Sequence, residues 1–153
     1  MKEKIPGKGW VLVGNVLLLI FGAIALFSAL GQISSVKEVL NSGALPDSAA
    51  GIVRACLFID PLRGVLAILS GVIGFIYLKD AGKWINKAMI VAVVAAFVEL
   101  AGIMLFVLLS NQLGGNATVK YSLALVAMLL QLIGYGNFKR APKNTNTPAP
   151  PLQ

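Results

Sequence analysis

Residues 88–109 read AMIVAVVAAFVELAGIMLFVLL, a run with a single charge, Glu99. A helix rises about 1.5 Å per residue and needs roughly 20 apolar residues to cross ~30 Å of hydrocarbon, so this run is long enough to span a bilayer. Outward from it, residues 10–30 (WVLVGNVLLLIFGAIALFSAL) carry no charge at all. Two further apolar runs end at Leu78 and cover Tyr121 to Phe138. Across the 153 residues 58% are hydrophobic and 12% charged, against about 45–50% and about 25% in soluble domains. The expectation is an all-α fold, an integral membrane four-helix bundle. It forms one domain over residues 1–140, with spans near 10–30, 61–78, 88–109 and 121–138. Residues 141–153, with Pro142, Pro148, Pro150 and Pro151, read as a disordered cytoplasmic tail.

The start of the second span stays open. Asp60 before Pro61 reads as an N-cap and a first-turn proline, which starts the helix at Pro61 after an interfacial segment. Yet residues 52–59 are also mostly apolar, and the alternative is a long helix from near residue 50, about Asp47, bent at Pro61.

Basic residues cluster at Lys2, Lys4 and Lys8, at Lys79, Lys83 and Lys87, and at Lys139, Arg140 and Lys143; the alternate connections carry only Lys37, Arg54, Arg63 and Lys120. Four spans put all three clusters on one side, and the positive-inside rule then places both termini in the cytoplasm of a plasma-membrane, multi-pass protein. A cleaved signal peptide ending near Ala29–Gly31 is the competing reading of the first span, but its apolar run is longer than the usual signal core. The net charge of +7 sits at membrane edges, so it argues for contact with the lipid bilayer and not with nucleic acid.

Absences narrow the chemistry. The chain has no His and one Cys, Cys56, so it offers no imidazole base, no His-bearing metal site and no internal disulfide. No phosphate-binding glycine loop or nucleophile elbow is present. The expectation is therefore no enzyme, no cofactor and no metal.

Glu99 demands an explanation, because a carboxylate in mid-membrane costs at least about 2.5–3.5 kcal/mol on insertion scales. Ala88, Ala92 and Ala96 share its helical face, which Ile103 continues, so stripe and carboxyl are expected to point into the bundle, where small residues let helices approach. Counting rise from each span's centre puts Gln131 level with Glu99, Asn15 several ångströms away and Arg63 roughly 10 Å away. The preferred pair is thus Glu99 with Gln131, the carboxyl in its protonated form because burial disfavours the charge. Asn15, Asp60 and Arg63 are secondary polar candidates, with Asp60 and Arg63 spaced to pair on one helix. Ala67, Ser70, Gly71 and Gly74 give the second span a small-residue packing face. Asn116–Thr118 forms a glycosylation sequon in the last connection, of consequence only in a secretory pathway.

The stretch 62–79 (LRGVLAILSGVIGFIYLK) and the ending 131–140 (QLIGYGNFKR) resemble a group of uncharacterised small four-span membrane proteins of Gram-positive anaerobes. That resemblance implies a four-helix bundle in the plasma membrane and no particular activity. Small multidrug transporters also combine four spans with a membrane Glu, but theirs lies in the first span, which has none here. The functional expectation is a non-enzymatic protein that packs helices or binds a membrane-protein partner or copies of itself. The alternative is a small ion- or proton-coupled carrier using Glu99.

Overall fold

The computed structural model describes residues 7–113 and 122–140. It consists of four α-helices, α1 (Lys8–Asn41), α2 (Asp47–Lys79), α3 (Ala81–Gln112) and α4 (Ser122–Arg140), with no strand among the described residues. Three of them, α1, α2 and α3, are long and apolar enough to cross a membrane. The 19 residues of α4 coincide with the fourth expected span. The tail over 141–153, Lys2, Lys4, Lys120, Tyr121 and Lys143, and the Asn116–Thr118 sequon lie outside the described residues.

Local sequence sets the breaks. At the end of α1 the Ser42 amide donates to the Glu38 carbonyl at 2.9 Å. Gly43 then takes φ +66°, a left-handed conformation that only glycine adopts without cost. Of the two readings of the second span, the structure adopts the longer: α2 runs unbroken from Asp47 through Pro61 to Lys79. Between α2 and α3 the connection is one residue, Asp80. Its backbone amide donates to Ile76 at 3.3 Å, while its carboxylate accepts from the Lys83 amide at 3.3 Å and caps α3.

The helices alternate in direction, each beside two neighbours: α1 against α2 and α4, and α3 against α2 and, less extensively, α4. Buried positions on α3 are Ile85, Ala88, Ala92, Ala95, Glu99 and Gly102. That spacing of three and four alternately is a 3.5-residue period, the seam of helices crossing at a shallow angle. The expected four-residue stripe therefore drifts: Ala95 and Gly102 take the central positions, while Ala96 and Ile103 are half-buried. On α2 the residues of the expected small-residue face, Ala67, Ser70, Gly71 and Gly74, are all buried.

The seam is layered along the bundle. Nearest the α2–α3 turn, Val11, Tyr77, Ile85, Ala88, Ala92 and Tyr135 form one cluster, with Tyr77 edge-on to Tyr135 at 4.9 Å between ring centroids. Then come the buried polar residues Asn15, Ser70 and Gln131. A second apolar layer follows, made of Leu18, Ala67, Ala95, Ala127 and Met128, and beyond it lie Arg63 and Glu99. The outside is the reverse, since Phe27, Phe58, Ile90, Phe97 and Met104 are all largely exposed. An interior of small and polar side chains inside a coat of large apolar ones suits lipid as the surrounding solvent.

Candidate functional site

Two buried polar clusters lie on this seam. The first joins α2 to α3. Arg63 Nη2 donates to Glu99 Oε1 at 2.6 Å and Nε to Oε2 at 3.0 Å, a two-pronged charge-assisted contact that uses both carboxylate oxygens. Arg63 Nη1 also donates to Asp60 Oδ1 at 3.1 Å, one turn back on α2. Arg63 and Glu99 are 7% and 4% exposed in this pair, while Asp60 is 43% exposed.

The second cluster joins α1, α2 and α4. Ser70 Oγ donates to Gln131 Oε1 at 2.7 Å; Gln131 Nε2 donates to Asn15 Oδ1 at 2.5 Å and to the Ser70 carbonyl at 3.2 Å. Gly74 makes room for it: a Cβ there would fall 2.7 Å from Asn15 Cγ. Among the described residues three buried polar atoms, Asn15 Nδ2, Tyr77 Oη and Tyr135 Oη, have no hydrogen-bond partner.

The expected pair of Glu99 with Gln131 does not form, and the protonated carboxyl expected there is replaced by an ion pair with Arg63. Register explains both. Arg63 precedes Asp80 by 17 residues and Glu99 follows it by 19, so a one-residue turn sets them level. Counting from a span that starts at Pro61 misses this, because α2 starts at Asp47 and Arg63 is its midpoint. On α4, Leu123 and Ala124 lie around the same cavity as Glu99, which leaves Gln131 about 10 Å farther along the bundle at ~1.5 Å per residue. Asn15, expected off that level, is Gln131's acceptor.

Ser70 served the sequence reading only as a small packing residue; its hydroxyl is the third member of the amide cluster. Gly102 has no role in the sequence reading, yet the Arg63 arm lies against it, with Nε 2.6 Å from where a Cβ would stand. The signal available for both was spacing: Arg63, Ser70 and Tyr77 recur every seven residues on α2, and Gly102 follows Glu99 by three.

Two cavities adjoin the ion cluster. The larger, about 460 Å³, is an open hollow lined mainly by α1, α2 and α3, with Asp60, Pro61 and Gly102 beside Val39, Leu57 and Phe106. The smaller, about 270 Å³, touches Arg63, Glu99 and Ala67 together with Ile24 and Leu123. Among the described residues no group of three or more His, Cys, Asp and Glu side chains gathers as a metal site would require. With both oxygens of Glu99 held by a guanidinium, the cluster presents an interhelical tie and one half-exposed carboxylate, Asp60. Comparison with protein families, with curated proteins and with solved structures finds no match to this chain.

Proposed function

We propose that the chain is a non-enzymatic, four-span protein of the plasma membrane that works by binding a partner at its α1–α2 end. The observation that carries this reading is the cavity of about 460 Å³ where α1, α2 and α3 continue past the described start of α4. A wall of mostly apolar side chains with few polar groups is the usual make-up of a binding cavity. Arg63, Glu99, Ser70 and Gln131 are used in bonds between helices, a role that fixes register.

The charge map supports an orientation with both termini cytoplasmic. Lys8, Lys79, Lys83, Lys87, Lys139 and Arg140 share the end of the bundle that holds the α2–α3 turn, while Lys37 and Arg54 at the other end are offset by Glu38 and Asp47. The resemblance of 62–79 and 131–140 to small four-span membrane proteins points the same way and adds no activity.

A photoreactive side chain in place of Phe106, inside the cavity, tests the binding reading in native membranes, with Ile90 on the exposed face of α3 as control. A discrete adduct from position 106 and none from position 90 is expected. The same smear from both positions overturns it.

A carrier reading draws on the ion cluster standing between two cavities. Against it stands the apolar layer of Leu18, Ala67, Ala95 and Met128, which separates that cluster from the amide cluster and leaves no polar groups to relay a proton. Proton flux into proteoliposomes that is lost in Glu99→Gln would favour the carrier.

A further inference from the structure

We propose that the cavity at the α1–α2 end is a binding site for amphiphilic organic cations, with Asp60 as the residue that receives the positive head. The inference rests on the binding reading above and names the ligand class. Its first support is charge. Among the described residues Asp60 and Glu99 share one guanidinium, Arg63, so two carboxylates meet one cation beside a largely apolar space. A cation at the half-exposed Asp60 would even that ratio.

The second support is which carboxylate faces the cavity. Glu99 gives both oxygens to Arg63 and is almost fully buried, whereas Asp60 gives one oxygen, is 43% exposed and belongs to the cavity wall. Among the described residues no Lys or Arg contributes to that wall.

The third support is the backbone. Pro61 has no N–H, so the carbonyl of Leu57, also in the wall, lacks the i+4 donor that a helix normally supplies. The Asp60 carboxylate, which accepts from Arg63 Nη1, and that carbonyl are both acceptors, and acceptors favour a ligand whose polar end is positive. Val36, Val39, Leu57, Phe106 and Leu109 offer the apolar body its contacts. At about 460 Å³ the space falls within the ~300–1,000 Å³ typical of small-molecule sites.

The chain supplies its own reporter, because its only cysteine, Cys56, also lies in the cavity wall, one turn before Asp60. In nanodiscs of zwitterionic lipid, alkylation of Cys56 by the uncharged N-ethylmaleimide is timed with and without decyltrimethylammonium. Saturable protection is expected, about tenfold slower labelling at ten times the dissociation constant. Decanol and decanoate at the same concentrations should protect far less. Asp60→Asn should abolish the advantage of the cation, with protection in each variant taken relative to its own rate without ligand, because a charge beside Cys56 alters the thiol's reactivity. Val39→Trp, which fills the cavity and leaves the ion cluster intact, should remove saturable protection.

Equal protection by decanol overturns the cation assignment and leaves the cavity a general apolar site, in keeping with the broader reading. Protection of Asp60→Asn equal to that of the unaltered chain overturns the role of Asp60. Absence of protection by any of the three compounds overturns this proposal, whereas the broader binding reading stands or falls on the adduct at position 106.

Discussion

The side chain of Arg63 crosses the bare backbone of Gly102 to reach Glu99. A Cβ at Gly102 would stand 2.6 Å from Arg63 Nε and 2.8 Å from Nη1, so the ion pair and the glycine are one device: the donor reaches its acceptor only because α3 has no side chain one turn beyond it. Gly102→Ala should therefore destabilise the bundle by about 1–3 kcal/mol, as overpacking does, although alanine is the better helix former. Thermal unfolding in detergent reads the change. In an Arg63→Met background the clash falls on a flexible, uncharged chain and the cost of Gly102→Ala should shrink; an undiminished cost would show that the glycine serves something other than this arm.

The same pair predicts a non-additive cycle. Removing one partner strands a buried charge, so Arg63→Met and Glu99→Leu should each cost about 3–5 kcal/mol. Replacing both with apolar side chains of similar volume should be near neutral. Asp60 is left without its guanidinium in the double variant, but it is half-exposed and can be solvated. A double variant as unstable as the sum of the singles would sink the account.

How far the sequence carried these conclusions depended on what each inference needed. Helix identity and the small-residue face of α2 need only hydrophobic length and residue size, and both were legible. The pairing of Glu99 needed axial register across two helices. That hung on whether α2 began at Asp47 or at Pro61, because an error of half a span shifts every level by about 10 Å at ~1.5 Å per residue. The one-residue turn at Asp80 would have settled it, since residues equidistant from so tight a turn must be level. The drift from Ala96 to Ala95 has a different cause: a four-residue repeat overshoots the 3.5-residue seam by half a residue each turn. The cavity was not legible, because its lining is drawn from α1, α2 and α3 together and depends on packing between helices that hydrophobic length does not give.

Orientation is open to a direct check. With the basic residues of three helix ends at one end of the bundle, reporter fusions after Lys8, near Gly82 and after Arg140 are expected to report cytoplasm. Fusions near Ser42 and Gly115 are expected to report the outside. An outside signal near Gly82 contradicts four spans, and a mature N-terminus at Gln32 would mean that the first helix is removed as a signal peptide.

The two buried tyrosines give the least intuitive expectation. Both rings are fully buried and meet edge to face at 4.9 Å, with Phe138 5.9 Å from Tyr77, and such aromatic contacts contribute about 0.5–1.5 kcal/mol beyond area. Their hydroxyls have no partner, and an unsatisfied buried polar group costs about 1–3 kcal/mol. Tyr77→Phe and Tyr135→Phe keep the rings and delete that cost, so neither should lower the melting temperature and each should raise it modestly. Gln131→Leu is the opposite case: its amide bonds Ser70 and Asn15, and its loss should cost about 0.6–2 kcal/mol, the range for hydrogen bonds between membrane helices. The contrast separates polar atoms that hold helices together from polar atoms merely carried by a ring. If either Tyr→Phe variant proves as damaging as Gln131→Leu, that hydroxyl has a bonded partner in the membrane, and a buried water bridging it to the free Asn15 amide becomes the arrangement to look for.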